Sequence, residues 1–200
     1  MATTPDIPSD VPVKPVPLSR EQRGWLEHAV ALIDEERMRT FNCAITSIHS
    51  PTGAERAASE WMVQQMRGLG IDALYQPLDE CSGNAVGQLK GNGGGPSLLL
   101  YAPIDTHLRA DPHEDVPWVG PELRPDMLPN AYVADNGDVI GLGAANPKGM
   151  ITALTEAVRC VRSAVVPLTG DVMLAFASGG MPSMQPQGEP RGLPYDRRWR

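Results

Sequence analysis

Ser97-Leu98-Leu99-Leu100-Tyr101-Ala102-Pro103-Ile104-Asp105-Thr106 is the stretch on which the architecture turns. Four large apolar residues in a row, Leu98 to Tyr101, do not alternate with polar ones, so they read as a strand covered on both faces. Working outward, strands are expected at 71–76 and 84–89 before it, and at 171–177 after it. The Gly91-Asn92-Gly93-Gly94-Gly95 run lacks the Lys-Ser/Thr of a phosphate-cradling loop and reads as a flexible hairpin turn. Asp135-Asn136-Gly137-Asp138 contains the Asn-Gly pair suited to a second hairpin. Residues 108–134 are polar, rich in proline and too long for a simple connection.

Helices alternate with these strands. Ser19 stands three before Gln22 as a capping box, and Leu26, Ala29, Val30 and Ile33 share one face, which predicts a helix over 20–45. Thr52 with Glu55 makes a second box ahead of Ala58, Trp61, Met62, Met66 and Leu69, with Gly68 and Gly70 at the stop. Asn146 as cap and Pro147 at the first helical position open a third helix, whose stripe is Met150, Ile151, Leu154, Val158 and Val161. The class is α/β.

Composition sets the bounds. Two hundred residues imply one domain, and 42% hydrophobic residues suffice for its core, while twenty Gly and twenty Pro imply long loops or loose ends. The first 18 residues hold five prolines and no apolar run, so they read as a mobile arm rather than a leader or anchor. From Met181 to Arg200 there are four prolines, four arginines and no periodic pattern, so 183–200 reads as a second unfolded segment, leaving a domain at 19–182. A net charge of −7 gives no electrostatic reason to expect nucleic acid or an anionic membrane. Cys43, Cys81 and Cys160 are scattered and read as reduced thiols, with a cytoplasmic location as the default.

Three blocks in order resemble the zinc metallopeptidase and deacylase family of aminoacylase, acetylornithine deacetylase, succinyl-diaminopimelate desuccinylase and carboxypeptidase G. Ser47-Ile48-His49-Ser50-Pro51-Thr52-Gly53-Ala54-Glu55 is similar to its "SPSGxE" segment. Residues 98–106 are similar to the strand that ends in Gly-His-x-Asp. Gly141-Leu142-Gly143-Ala144-Ala145-Asn146-Pro147-Lys148-Gly149 is similar to Gly-x-Gly-Ala-x-Asp-x-Lys-Gly. The strand at 171–177 is similar to one normally followed by a Glu-Glu pair. The resemblance covers about residues 20–182. It implies a three-layer α/β/α zinc-peptidase-like catalytic domain, incomplete at its carboxyl end. It also implies a divalent metal pair, zinc or cobalt, acting on a small-molecule amide substrate.

At the ligand positions the resemblance lapses. The family's ligand His corresponds to Pro103, its bridging Asp to Asn146, and its Glu-Glu pair to Gly180 and Met181. Two dications a few ångströms apart repel and need anionic ligands between them, and none of these four residues is ionisable. Asp105 survives, where the family uses it to orient the absent His. A rearranged site remains open: Asp105 and His107, two apart, would face one way if the strand continued, with a third ligand from His49, His113, Asp111 or Asp115. The 111–115 segment itself reads most simply as a solvated acidic loop. Asp105, Asn146 and Lys148 are the candidate catalytic residues. The bland readings beside them are a helix cap for Asn146 and a solvated first-turn side chain for Lys148.

Other chemistries have less support. Gly141 to Asn146 only partly imitates a dinucleotide-binding turn, and there is no Gly-x-Ser-x-Gly nucleophile elbow. Two functions follow: a divergent amide hydrolase with a degenerate site, or a catalytically inactive, truncated homologue or interaction protein. A frameshift near Pro182 would produce the second.

Overall fold

A computed structural model describes residues 17–180. The expected arm, the segment 183–200 and the Met181 ligand position fall outside or mostly outside that range. In chain order the elements are α1 (Arg20–Ala31), α2 (Glu35–Thr46), α3 (Arg56–Gly68), β1 (Asp72–Pro77), β2 (Gly83–Leu89), β3 (Leu98–Pro103) and α4 (Pro112–Val119). A 3-10 turn (Pro125–Met127), β4 (Tyr132–Val133), β5 (Val139–Ile140), α5 (Lys148–Ser163) and β6 (Val172–Ala177) complete it.

The sheet runs β1-β2-β6-β3, antiparallel except for the β3–β6 pair, and β4-β5 form a separate hairpin. A parallel pair needs a long crossover, and α4, the hairpin and α5 supply it between β3 and β6. One core joins this sheet to its helices. Ile45 of α2, Met62 and Met66 of α3, Ile151 and Val158 of α5, and Ala85, Ala102, Leu174 and Phe176 of the strands form one buried cluster.

That cluster uses alternate strand positions only. The opposite row, Leu74, Val86, Ala175 and Tyr101 in register across all four strands, carries no helix among the described residues. Leu98, Leu99 and Tyr101 are each more than half exposed. The expectation of a strand covered on both faces is therefore corrected: among the described residues β3 is an edge, and one face of it is open. Apolar edges of this kind template association. Leu99→Lys, at an outward position, is expected to reduce self-association, read as a shift toward monomer in sedimentation velocity; an unchanged distribution would show that this face does not drive it.

Three local expectations also change. The helix predicted over 20–45 is two helices. Asp34 caps the second by accepting from the Arg37 amide, while the buried Glu156 carboxylate accepts from the Asp34 amide and pairs with Arg37. Leu26, Val30 and Ile33 are exposed, and only Ala29 of that stripe is buried. The glycine-rich run at 91–95 is no hairpin, because β6 lies between β2 and β3. It crosses the start of β6 instead, with the Gly91 amide donating to Asp171 at 2.9 Å. On α5, Met150 is exposed and Thr152, Thr155 and Glu156 are buried. The Asn136-Gly137 hairpin forms as expected, Gly137 sitting at φ +87°.

Candidate functional site

Beyond Pro103, the last residue of β3, the chain leaves the sheet and runs beside the Ser50–Gly53 loop. The Thr106 amide donates to the Ser50 carbonyl at 2.9 Å, the Thr52 amide donates to the Thr106 carbonyl at 3.0 Å, and the Ser50 hydroxyl donates to the Ile104 carbonyl at 2.9 Å. Two of the three motif blocks are thereby laced together at the carboxyl end of the parallel strands, where α/β folds place their sites.

Two fully buried carboxylates meet there. Asp105 accepts from the Thr52 hydroxyl at 2.7 Å through one oxygen and from the Gly180 amide at 3.0 Å through the other. Glu55 accepts from the Gly53 and Gly179 amides through Oε1, at 2.9 and 3.0 Å, and its Oε2 is buried without a hydrogen-bond partner. Burial pushes the Glu55 carboxyl above its ordinary value, the backbone amides of Gly53, Glu55 and Gly179 offset part of this, and the neighbouring Asp105 charge adds to the rise. The expected Thr52–Glu55 capping box does not form. The helix starts at Arg56 with no side-chain cap, because both side chains are spent at the sheet end.

The third block folds over the same end. Gly143, at φ +84°, turns tightly against Thr106, where a Cβ would come within 2.9 Å of the Thr106 methyl. Asn146 is exposed and precedes a cis peptide to Pro147; Pro147 occupies the cap position, with no side-chain cap. The reading of Asn146 as a helix cap is corrected accordingly. Lys148 is not solvated either. It is 1% exposed, its ammonium donates to the Ile48 carbonyl at 2.7 Å, and burial lowers its pKa to about 8. His49 lies within electrostatic range of Lys148, Arg109 and Asp115, and partial burial heads the causes that lower its pKa.

Asp105 and His107 part company. Asp105 is buried toward Glu55, whereas His107 is exposed in a cleft of about 450 Å³ that it shares with Asp126 and Asn146. The strand does not continue through these positions, which is why their side chains do not face one way. The acidic segment at 111–115 is a helix start rather than a solvated loop: Asp111 caps α4, and buried Asp115 accepts from the Arg109 and Asp111 amides. Sequence reasoning places Glu55 in a helix cap, whereas the structure brings its carboxylate to the sheet end beside Asp105. The signal was present in its block, an acidic residue two after a glycine that needs positive φ (Gly53, φ +88°).

No family profile matches the sequence. A curated protein, N-formyl-4-amino-5-aminomethyl-2-methylpyrimidine deformylase of Bacillus subtilis (strain 168), is 27% identical over 154 residues, 74% of this chain and 34% of that protein. Among solved structures, a tripeptidase from Staphylococcus aureus is similar with a TM-score of 0.53 at 21% identity, over 74% of this chain and 37% of that one. An M20 family metallo-carboxypeptidase from Sulfolobus solfataricus gives 0.55 at 16% identity, over 73% of this chain and 31% of that one. Human carnosine dipeptidase 1 gives 0.54 at 14% identity, over 81% and 35%. The chain has the M20 metallopeptidase fold. It spans about a third of the length of the proteins it matches.

Within the M20 fold, the described residues do not fit a pair of divalent ions. Pro103 and Gly180 have no side-chain donor, Asn146 is neutral, and both Asp105 oxygens are already engaged by N–H or O–H donors. Among the described residues no three His, Cys, Asp or Glu side chains cluster closely enough to hold a metal.

Proposed function

We propose that this chain is built on the catalytic domain of a metal-dependent hydrolase of amide (C–N) bonds in small molecules, and that it has lost the paired-metal centre. Alone it is a catalytically inactive homologue. The observation that carries this reading is the chemistry of the sheet end. Where two dications would need anionic bridges, positions 103, 146 and 180 supply a proline, an amide and a glycine, and each Asp105 oxygen accepts a bond from Thr52 or Gly180. Loss of a single outer partner already costs metal sites about 10–100-fold in affinity or activity. The ancestry is supported by the M20 fold and by the deformylase relative, whose name specifies removal of an N-formyl group from an aminomethylpyrimidine. Zinc or cobalt and a small amide substrate belong to that ancestry, and a cytoplasmic setting suits three scattered thiols. No helix among the described residues is long and apolar enough to cross a membrane.

The test is turnover. N-acetyl and N-formyl amines, offered with zinc or cobalt, are expected to be hydrolysed no faster than in buffer. Sustained, chelator-sensitive release of amine would contradict the proposal.

One observation favours a second reading, a divergent but active hydrolase: His107, Asp126 and Asn146 line one cleft at the sheet end. Under it, the turnover that appears would be abolished by His107→Ala while the fold, read by circular dichroism, is unchanged.

A further inference from the structure

The two buried carboxylates need compensation, because an unpaired buried charge is costly. Consecutive backbone amides provide it: Gly179 donates to Glu55 and Gly180 to Asp105. The segment leaving β6 must lie close against the end of β3 for this, and the side chains at 103 and 180 decide whether it can. An ideal Cβ on Gly180 would collide with the Pro103 Cβ, inside the 3.0 Å that real Cβ atoms essentially never breach, and would sit 3.3 Å from Pro103 Cγ and from the Tyr101 hydroxyl. The Gly180 backbone itself lies outside the left-handed region, so any residue is conformationally allowed there. Gly179, at φ +71°, is the opposite case, a position where glycine is required by the backbone.

We infer that Pro103 and Gly180 form a steric interlock that closes the sheet end where the lost metal centre would lie, held shut by the bonds from the Gly179 and Gly180 amides to the Glu55 and Asp105 carboxylates. While position 103 carries a Cβ and the two segments keep this spacing, position 180 accepts only glycine, so restoring a carboxylate at 180 alone cannot reopen the site. The inference deepens the reading of a lost metal centre but stands on packing, and a chain that bound metal elsewhere would leave it intact.

A double-mutant cycle on the full chain tests it, read as thermal midpoints without any metal. Gly180→Ala is expected to lower Tm by about 5 °C when residue 103 is Pro, the scale of an overpacked contact in a domain this size. In a Pro103→Gly background the same substitution is expected to cost less than about 2 °C, since the colliding atoms are gone. Gly179→Ala, which acts through φ, should cost the same in both backgrounds. An equal Gly180→Ala penalty in both backgrounds, or none in either, would overturn the interlock. If Gly180→Ala does not fold, recovery of a cooperative transition in the Pro103→Gly double variant is the expected result, and no recovery counts against it. The unsubstituted chain gives an independent readout: the Gly180 amide should exchange with solvent slowly, and exchange at an unprotected rate would remove the bond to Asp105 on which the inference rests.

Discussion

Glu156→Ala is expected to lower stability by about 3–5 kcal/mol, the cost of removing one partner from a buried ion cluster. For a domain of this size that is a fall in Tm of roughly 10 °C. Glu156 is 4% exposed on α5, pairs with Arg159 at 2.6 Å and Arg37 at 2.9 Å, and accepts from the Asp34 amide at 3.2 Å. It ties the break between α1 and α2 to the helix that carries Lys148. Arg159 also donates to the Leu32 carbonyl at the end of α1, so removing Glu156 leaves a partly buried guanidinium short of its anion. Burial alone would raise the Glu156 pKa, but the bonds from Arg159, the Asp34 amide and Arg37 outweigh it and hold it at about 2. A depressed carboxylate stabilises the fold above its unfolded value, near 4.5, and that stability is lost as pH falls toward 2. The gap between the parent chain and Glu156→Gln in urea midpoint should therefore shrink across this window. A gap independent of pH would show that the carboxylate charge is not what the site uses.

Lys148 gives the second large effect, in an alkaline window and with burial of the charged form costing stability rather than adding it. Burial lowers its pKa from 10.5 to about 8, so between these values the unfolded chain binds more protons than the folded one. Stability attributable to this side chain must rise as pH rises through the window, by about 3 kcal/mol in all. Lys148→Met removes the titration. Urea denaturation of both proteins at pH 7 and pH 10 is expected to show the lysine form gaining on the methionine form by about that amount. Parallel shifts in the two proteins would mean that the amine is hydrated in the folded state. The bond to the Ile48 carbonyl explains why a lysine lies at this position: it spans from the third motif block to the first and packs the turn at Gly143 against the sheet end.

Much of this was legible in the sequence, for identifiable reasons. The strands were found because continuous or alternating apolar residues have few other uses, and the Asn136-Gly137 hairpin because its turn needs positive φ. The failures share a cause. Thr52, Glu55, Asn146 and Glu156 are short polar side chains for which local capping or solvation is the usual explanation, and sequence reasoning assigned the usual one or passed them over. In the structure, Thr52 and Glu55 bond at the end of the sheet and Glu156 answers to arginines on two helices, partners that only tertiary packing supplies. The undivided helix over 20–45 failed similarly: Asp34-Glu35-Glu36 is a helix-start signal in its own right, but it is embedded in a run that also scores as helix. Exposure of β3 could not be foreseen, because an apolar run says that a strand wants cover and not which residues provide it.

The proposed loss of the metal centre rests on the uncharged residues at positions 103, 146 and 180, and bound metal measures it most directly. The full chain, incubated with zinc, cobalt or manganese, desalted and analysed by mass spectrometry for metal per polypeptide, is expected to retain close to none of the three. Two ions per chain surviving desalting, and removed only by chelator, would contradict the account.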